Sequence, residues 1–408
     1  MKMTNHASAS GSFRPTRRLF LASAGSFVAW AQMPRFAFAG TRDPRFVLVI
    51  LRGAVDGLAV VPPIGDPAYT ALRGDIAVGA KGVGGASPLH GIFALNDAMP
   101  NFRRRFQSGE ALVVHAAATP YRDRSHFDGQ DVLENGTNGP RLAETGWLNR
   151  AVAALPKGDA VRPLHGLAVS PVVPLVLRGA APVFTWMPTD LQATGPDTAQ
   201  RLMDLYSQTD SKLAQAFSAG REIDRMAGGG GRPGGDINNQ FRTIAVGAGR
   251  LLAQEDGPRI AALSYDGWDT HAKEGPMDGN LDKLLGALDG ALEGLAVELG
   301  PVWKDTVVAV VTEFGRTAHV NGTDGTDHGT ATMALLAGGA VRGGRVVADW
   351  PGLAPNQLYQ ARDLRPTTDL RAVLKGVLRD HLGLSERVLS TEVFPGSLPV
   401  RPLNGLVA

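Results

Sequence analysis

The chain has 408 residues, with 41 Lys and Arg against 39 Asp and Glu, and no cysteine. A balance this even does not call for nucleic acid as a partner. The missing cysteines exclude disulfides, thiolate metal sites and cysteine nucleophiles. An aromatic content of 6% argues against a stacking surface for polysaccharide or single-stranded nucleic acid.

The chain opens on a twin-arginine pattern, Thr16-Arg17-Arg18-Leu19-Phe20-Leu21. The apolar stretch from Leu19 to Trp30 is too short to span a bilayer comfortably. Ala37-Phe38-Ala39 then offers a small-x-small cleavage site before Gly40. The plain alternative is a basic, apolar N-terminal arm. The signal reading makes residues 1–39 a peptide read by the Tat translocase and places the mature protein in the periplasm or outside the cell. It leaves no stable membrane anchor after cleavage. Those residues hold five basic groups and no acidic one, so 36 basic and 39 acidic residues remain, a net charge of −3. The slight basic excess of the whole chain, 41 against 39, thus belongs to the signal. Residues 40–408 suffice for one α/β domain, whose stability must come from core size.

Short apolar runs at Phe46–Leu51, Ala111–Ala117, Ile260–Leu263, Val307–Val311 and Met333–Ala337 lack strict alternation. They predict strands buried on both faces. Helical periodicity appears near 146–155, 198–226, 237–254 and 368–383. It is clearest where Leu281, Leu284, Leu285, Leu288, Leu292, Leu295 and Leu299 form one stripe, stopped by Gly300-Pro301. Strands alternating with helices predict a mostly parallel central sheet with helices on both faces. The run Gly228–Gly235 resembles a phosphate loop only superficially. It follows no strand and lacks the Gly-Lys-Ser/Thr ending.

Candidate chemistry sits after the apolar runs. Asp56 follows the first run, where doubly wound sheets bind ligands, and is equally readable as a turn aspartate beside Gly57. Ser125 stands at a predicted helix start, as a plain N-cap or as a hydroxyl nucleophile beside free N–H groups. His126 reads equally as a structural hydrogen bonder or a ligand. Asp269 and His271 are two apart, so in an extended segment both side chains face one ion. Glu313 ends a buried strand, where a carboxylate needs a metal or cation. Arg316 reads as its salt-bridge partner or as a bidentate binder of a substrate oxyanion. Asp327 and His328 add a carboxylate and an imidazole in a glycine-flanked loop, or are simply a turn with a solvated histidine. Carboxylates and neutral imidazoles at this density suit a hard-to-borderline divalent ion: zinc, manganese, magnesium or calcium.

Arg52–Gly57, Ser125–Gln130, Gly267–His271, Thr312–Thr317, Gly325–Gly329, Gly343–Val347, Trp350–Leu353 and Thr368–Arg371 together resemble the bacterial family called domain of unknown function 1501. That family is grouped with the alkaline-phosphatase-like superfamily, alongside sulfatases. The resemblance implies an alkaline-phosphatase-like α/β fold, and a metal-dependent hydrolase of phosphate or sulfate esters acting on a small anionic ester. By it, Asp56 looks like the first-strand metal carboxylate and Ser125 like the hydroxyl nucleophile. Asp269, His271 and His328 look like metal ligands. Glu313 stands where the superfamily usually has an Asp-His pair, with Phe314 in place of that histidine. The alternative is a non-catalytic exported binding or assembly protein that keeps the fold with a decayed metal site.

Overall fold

The computed structural model describes residues 43–79, 85–155, 166–188, 196–227, 235–275 and 279–408. The twin-arginine stretch and most of the Gly228–Gly235 run lie outside these residues. The strands in chain order are β1 (Arg45–Leu51), β2 (Ala86–Pro88), β3 (Ala94–Asn96), β4 (Ala111–Ala118), β5 (Gly166–Val169), β6 (Val183–Trp186), β7 (Ile260–Tyr265), β8 (Thr306–Thr312), β9 (Thr332–Ala337), β10 (Val346–Val347) and β11 (Thr368–Asp369). Nine of them form one sheet in the order β10-β4-β9-β8-β1-β7-β5-β6, with β11 beside β4. β2 and β3 form a separate antiparallel hairpin.

The sheet is mostly parallel. β1 pairs in parallel with both β7 and β8, and β5 with β6 and β7. β9 runs antiparallel to both its neighbours, β4 and β8. A reversed strand between them leaves β4 and β8 pointing the same way. The carboxyl ends of β4, β8, β1 and β7 therefore open on one edge of the sheet.

Both faces are covered, as the non-alternating apolar runs predict. On one face Phe46, Leu48 and Ile50 share a core with Leu112, Val114, Val307, Ala309, Val311 and Leu336. The helices Trp147–Ala154 and Leu370–Leu382 contribute Trp147, Leu148, Val373, Leu374 and Leu378 to the same core. The intervening residues Val47, Val49, Leu51, Val308 and Val310 are also buried, so the opposite face is covered too. There the helix Ile237–Ala253 packs on β7, where the Phe241 ring stacks on Tyr265 with centroids 3.9 Å apart. The leucine stripe forms the helix Asn280–Leu299, with every stripe residue buried, and it packs along Ile237–Ala253.

The periodic stretch 198–226 is two helices, Pro196–Thr209 and Ser211–Met226, separated at Asp210. Residues of this pair up to 222 belong to a second, smaller compact unit. Within it the Tyr206 and Phe217 rings meet edge to face. Among the described residues no helix is long and apolar enough to cross a membrane.

Trp147 links the main core to the segment that follows β4. Its ring stacks on Phe394 and meets Phe46 edge-on, and its Nε1 donates to the carbonyl of Leu133 in the helix His126–Asn135. Trp147→Ala empties a fully buried site and removes that donor, so a loss of about 3–5 kcal/mol is expected in denaturant unfolding. A loss below about 1 kcal/mol would show that the helix is held by other contacts.

Candidate metal centre

Four strand ends bring the site together. After β4 the chain passes through Arg124, whose φ of +61° is unusual for a side-chain-bearing residue. It then enters the helix His126–Asn135, with Ser125 at the N-cap. After β1, Gly53 lies against the segment that follows β7. A β-carbon there, at φ +124°, would sit 2.5 Å from the Asp269 amide nitrogen. Glu313 directly follows β8 and is fully buried. Gly325 approaches His271 just as closely, since a β-carbon on it would lie 2.3 Å from the His271 carbonyl oxygen. This contact docks the loop that carries His328 onto the one that carries Asp269 and His271.

Three imidazoles meet around one carboxylate. His328 Nε2 lies 3.0 Å from His126 Nε2 and 3.0 Å from His271 Nε2. Asp269 Oδ1 lies 3.0 Å from His271 Nε2 and 3.2 Å from His328 Nε2, and its Oδ2 is 3.4 Å from His126 Nε2. His126, Asp269 and His328 thus form a group that can hold a metal ion, with one ligand atom from each within 4.8 Å of the others.

The other ring nitrogen of each histidine is held by a group that only accepts. His126 Nδ1 donates to Glu313 Oε1 at 2.8 Å, His328 Nδ1 to the Arg124 carbonyl at 2.9 Å, and His271 Nδ1 to Asp327 Oδ1 at 3.3 Å. A carboxylate or carbonyl fixes the proton on Nδ1 and leaves a lone pair on Nε2. Three such lone pairs, two of the gaps being 3.0 Å, repel one another unless a proton or a metal ion lies between them. This donor set, with an outer acceptor behind each imidazole, is how proteins present histidine to a metal.

The electrostatics agree. The hydrogen bond to Glu313 raises the pKa of His126 against the effect of burial, whereas burial lowers that of His328. Burial would raise Glu313, but hydrogen bonds from His126, Gln130 and Gly53 outweigh it and keep the carboxyl below its usual range. Asp269 is lowered despite partial burial, chiefly by Arg316.

Of the residues singled out in the sequence, Asp269, His271 and His328 are brought together. Glu313 does not face the cluster centre. Its Oε1 accepts from Gly53 N–H at 2.9 Å, His126 and Gln130, and its Oε2 from Thr312 Oγ1 at 2.9 Å. Asp327 likewise stands behind His271 and also accepts from Asn321. Asp56 lies in a separate ion pair with Arg73 and caps the short helix Gly57–Val60. Arg316 is buried, with its Nη1 2.6 Å from Asp269 Oδ1 and its Nη2 on the Thr326 carbonyl. Its partner is Asp269, not Glu313. Ser125 makes no capping hydrogen bond with its side chain, so its hydroxyl is not spent on the helix. Phe314 lies flat against His126, with ring centroids 5.1 Å apart, and walls the site. The residue that pattern reading left undecided is His126. Its signal was its position, immediately after Ser125 at a helix start beyond a buried strand.

Residues 109–393 match the family described as protein of unknown function (DUF1501). The chain belongs to that family. No curated protein matches the sequence. Among solved structures, the chain is similar to Ps i-CgsB in complex with k-i-k-neocarrahexaose, at 11% identity and a TM-score of 0.45, covering 88% of this chain and 77% of that one. It is also similar to a TAB5 alkaline phosphatase mutant with Mg bound in its M3 site, at 12% identity, TM-score 0.36, and 75% and 94% coverage. A third is the phosphonate monoester hydrolase of Agrobacterium radiobacter, at 13% identity, TM-score 0.33, and 84% and 74% coverage.

Because Glu313 is the main cause of the raised His126 pKa, Glu313→Gln should move the His126 titration of metal-free protein downwards. An NMR titration of the imidazole resonances checks this. An unchanged His126 midpoint would mean that Glu313 does not hold its Nδ1 proton.

Proposed function

We propose that this DUF1501 member is an exported, metal-dependent hydrolase of phosphate or sulfate esters with an alkaline-phosphatase-like ancestry. The observation that carries the reading is the convergence of three imidazole Nε2 atoms and the Asp269 carboxylate, each imidazole backed by an acceptor. In this reading His126, His271, His328 and Asp269 are the ligands, while Glu313 and Asp327 orient imidazoles. A nitrogen-rich set of this kind suits zinc or manganese better than magnesium or calcium. A bound divalent ion would supply Lewis-acid stabilisation of an ester oxyanion and lower the pKa of a nearby hydroxyl.

The chain's own residues do the rest. Ser125 directly precedes His126, so its hydroxyl rides on the same rigid segment as a metal-facing imidazole. It stands at a helix N-terminus, where backbone N–H groups favour an anion. It is the proposed nucleophile for a small anionic ester. Arg316 neutralises Asp269 from behind instead of reaching solvent, so its proposed role is to tune the ligand carboxylate. Asp56 has no ligand role in this reading.

Metal analysis of the folded protein, with a screen of aryl phosphate and sulfate esters, tests the proposal. His126→Ala, His271→Ala and His328→Ala should each weaken metal binding by at least about tenfold. Ser125→Ala should keep the metal and lose turnover. Full turnover in folded Ser125→Ala would reject the nucleophile. Bound metal with no hydrolysis of any ester by the wild type would favour the binding-protein reading, in which the site holds an ion for structure or recognition.

Metal affinity should rise with pH, because the imidazoles must lose their competing protons. The raised pKa of His126 extends that competition above the ordinary imidazole range of about 6.5. Zinc affinity measured at several pH values should still be climbing there. A flat profile from about pH 5 to 8 would exclude imidazole ligation.

The proposed route out of the cytoplasm is the Tat pathway. Replacing Arg17-Arg18 with Lys-Lys should strand the unprocessed chain inside the cell, and normal appearance of processed protein outside would remove that mechanism.

A further inference from the structure

A second carboxylate cluster lies behind the histidine site. Asp56, Arg73 and Glu274 are each at most 1% exposed. Arg73 Nη2 pairs closely with Asp56 Oδ2 and stands 3.8 Å from Glu274 Oε1, and the Asp56 and Glu274 side chains interact directly. Arg73 Nη1 donates to the carbonyl of Thr317, which anchors the guanidinium to the segment after Arg316. Glu274 Oε2 accepts from Thr326 Oγ1 at 2.7 Å, and that hydroxyl in turn accepts from Arg316 Nε at 3.1 Å.

The charges decide what this cluster is. Two ionised carboxylates against one guanidinium would leave a net negative charge out of water, which is costly unless something neutralises it. Arg316 is already committed to Asp269 at 2.6 Å. Tyr69 donates its hydroxyl to the Leu58 carbonyl, and burial raises its pKa, so it is uncharged. His115 also feels the Asp56 charge, but burial pushes its pKa down to about 4, so it is neutral too. Among the described residues, the neutralisers left are a proton or an added metal ion. Arg73 already stands against both carboxyl groups, where an added cation would meet its positive charge. Glu274 Oε1 is buried without a hydrogen-bond partner, a costly state for an ionised oxygen and a cheaper one for a carboxylic acid.

We propose that Asp56, Arg73 and Glu274 form a self-neutralised unit in which Arg73 supplies the positive charge, one proton is retained on the carboxyl pair, and no metal ion binds. Burial and the adjacent Asp56 agree, holding the Glu274 pKa well above the usual carboxylate range. Glu274 is then a positioning residue. Its backbone N–H donates to the Asp324 carbonyl at 2.9 Å and its side chain holds Thr326. It thereby joins the stretch just after His271 to the stretch just before His328. Among the described residues this cluster then adds no second metal centre to the histidine site, a statement that rests on the hydrolase reading above.

The test uses the full chain. Zinc saturation followed by metal analysis should give one ion per chain in the wild type, and the same ratio in Glu274→Gln and Asp56→Asn. Two ions in the wild type, falling to one in either variant, would overturn the proposal. Infrared difference spectra between wild type and Glu274→Gln at neutral pH should show a protonated carboxylic acid band that the variant lacks. Its absence in folded protein would overturn the proposal as well. This second measurement needs no metal, so it still decides if the histidine cluster binds none and the hydrolase reading fails. Glu274→Gln imitates the protonated acid and should fold like the wild type, so the result does not hang on Asp56→Asn folding.

Discussion

A carboxylate with no exposed surface at the end of a central strand must collect donors or give up its charge. Glu313 is in that position. Its donors come from Gly53 beyond β1, His126 and Gln130 beyond β4, and Thr312 in β8. Hydrophobic burial brings these strands side by side, but it does not care about a shift of an ångström at their ends. The hydrogen-bond demand of one buried charge does. It aligns three strand ends that are distant in sequence, and with them the imidazole whose Nδ1 it holds.

The three imidazoles are not held equally firmly. Glu313, which backs His126, is fully buried, whereas Asp327, which backs His271, has a side chain 53% exposed. Losing a pair in water costs at most about 1 kcal/mol, whereas taking the donor away from a buried carboxylate leaves that charge unpaired and costs considerably more. His126 is therefore held more firmly than His271. His271 has the most exposed side chain of the three, 44% against 24% for His126 and 26% for His328. Arg316, buried and bonded to Asp269, adds a fixed counter-charge on the fourth side.

Much of the fold was legible because the five apolar runs were long enough and uninterrupted. Each became a strand that extends the predicted run by two residues at most. β5 and β6 were missed: Gly166–Val169 and Val183–Trp186 have only four residues each and carry little pattern. The direction of β9 was also invisible, since a buried strand reads the same either way. At the site, two-residue spacing put Asp269 and His271 side by side, a local signal, while the family resemblance grouped them with His328, 59 residues beyond Asp269. Spacing could not tell Glu313 as ligand from Glu313 as support, because that depends on which partner a carboxylate meets across 187 residues of chain. Asp56 shows the same limit. Its neighbour Arg73 lies in an unremarked stretch, and the pairing arises only when the chain turns back.

The reversed strand β9 has a consequence for how the molecule comes into being. It is the piece that joins β4 to β8, and it lies after both in the chain. Until residues 332–337 are available, β4 has no ladder tying it to β8. The segments bearing His126 and Glu313 then have no common frame to meet in. Pairings between parts so far apart close slowly, because the entropy of the intervening loop is lost before the contacts form. A ribosome-bound chain that has already made His126, Asp269, His271 and His328 is thus still unable to assemble them. The cluster therefore forms as one late event, when the last long strand of the sheet drops into place.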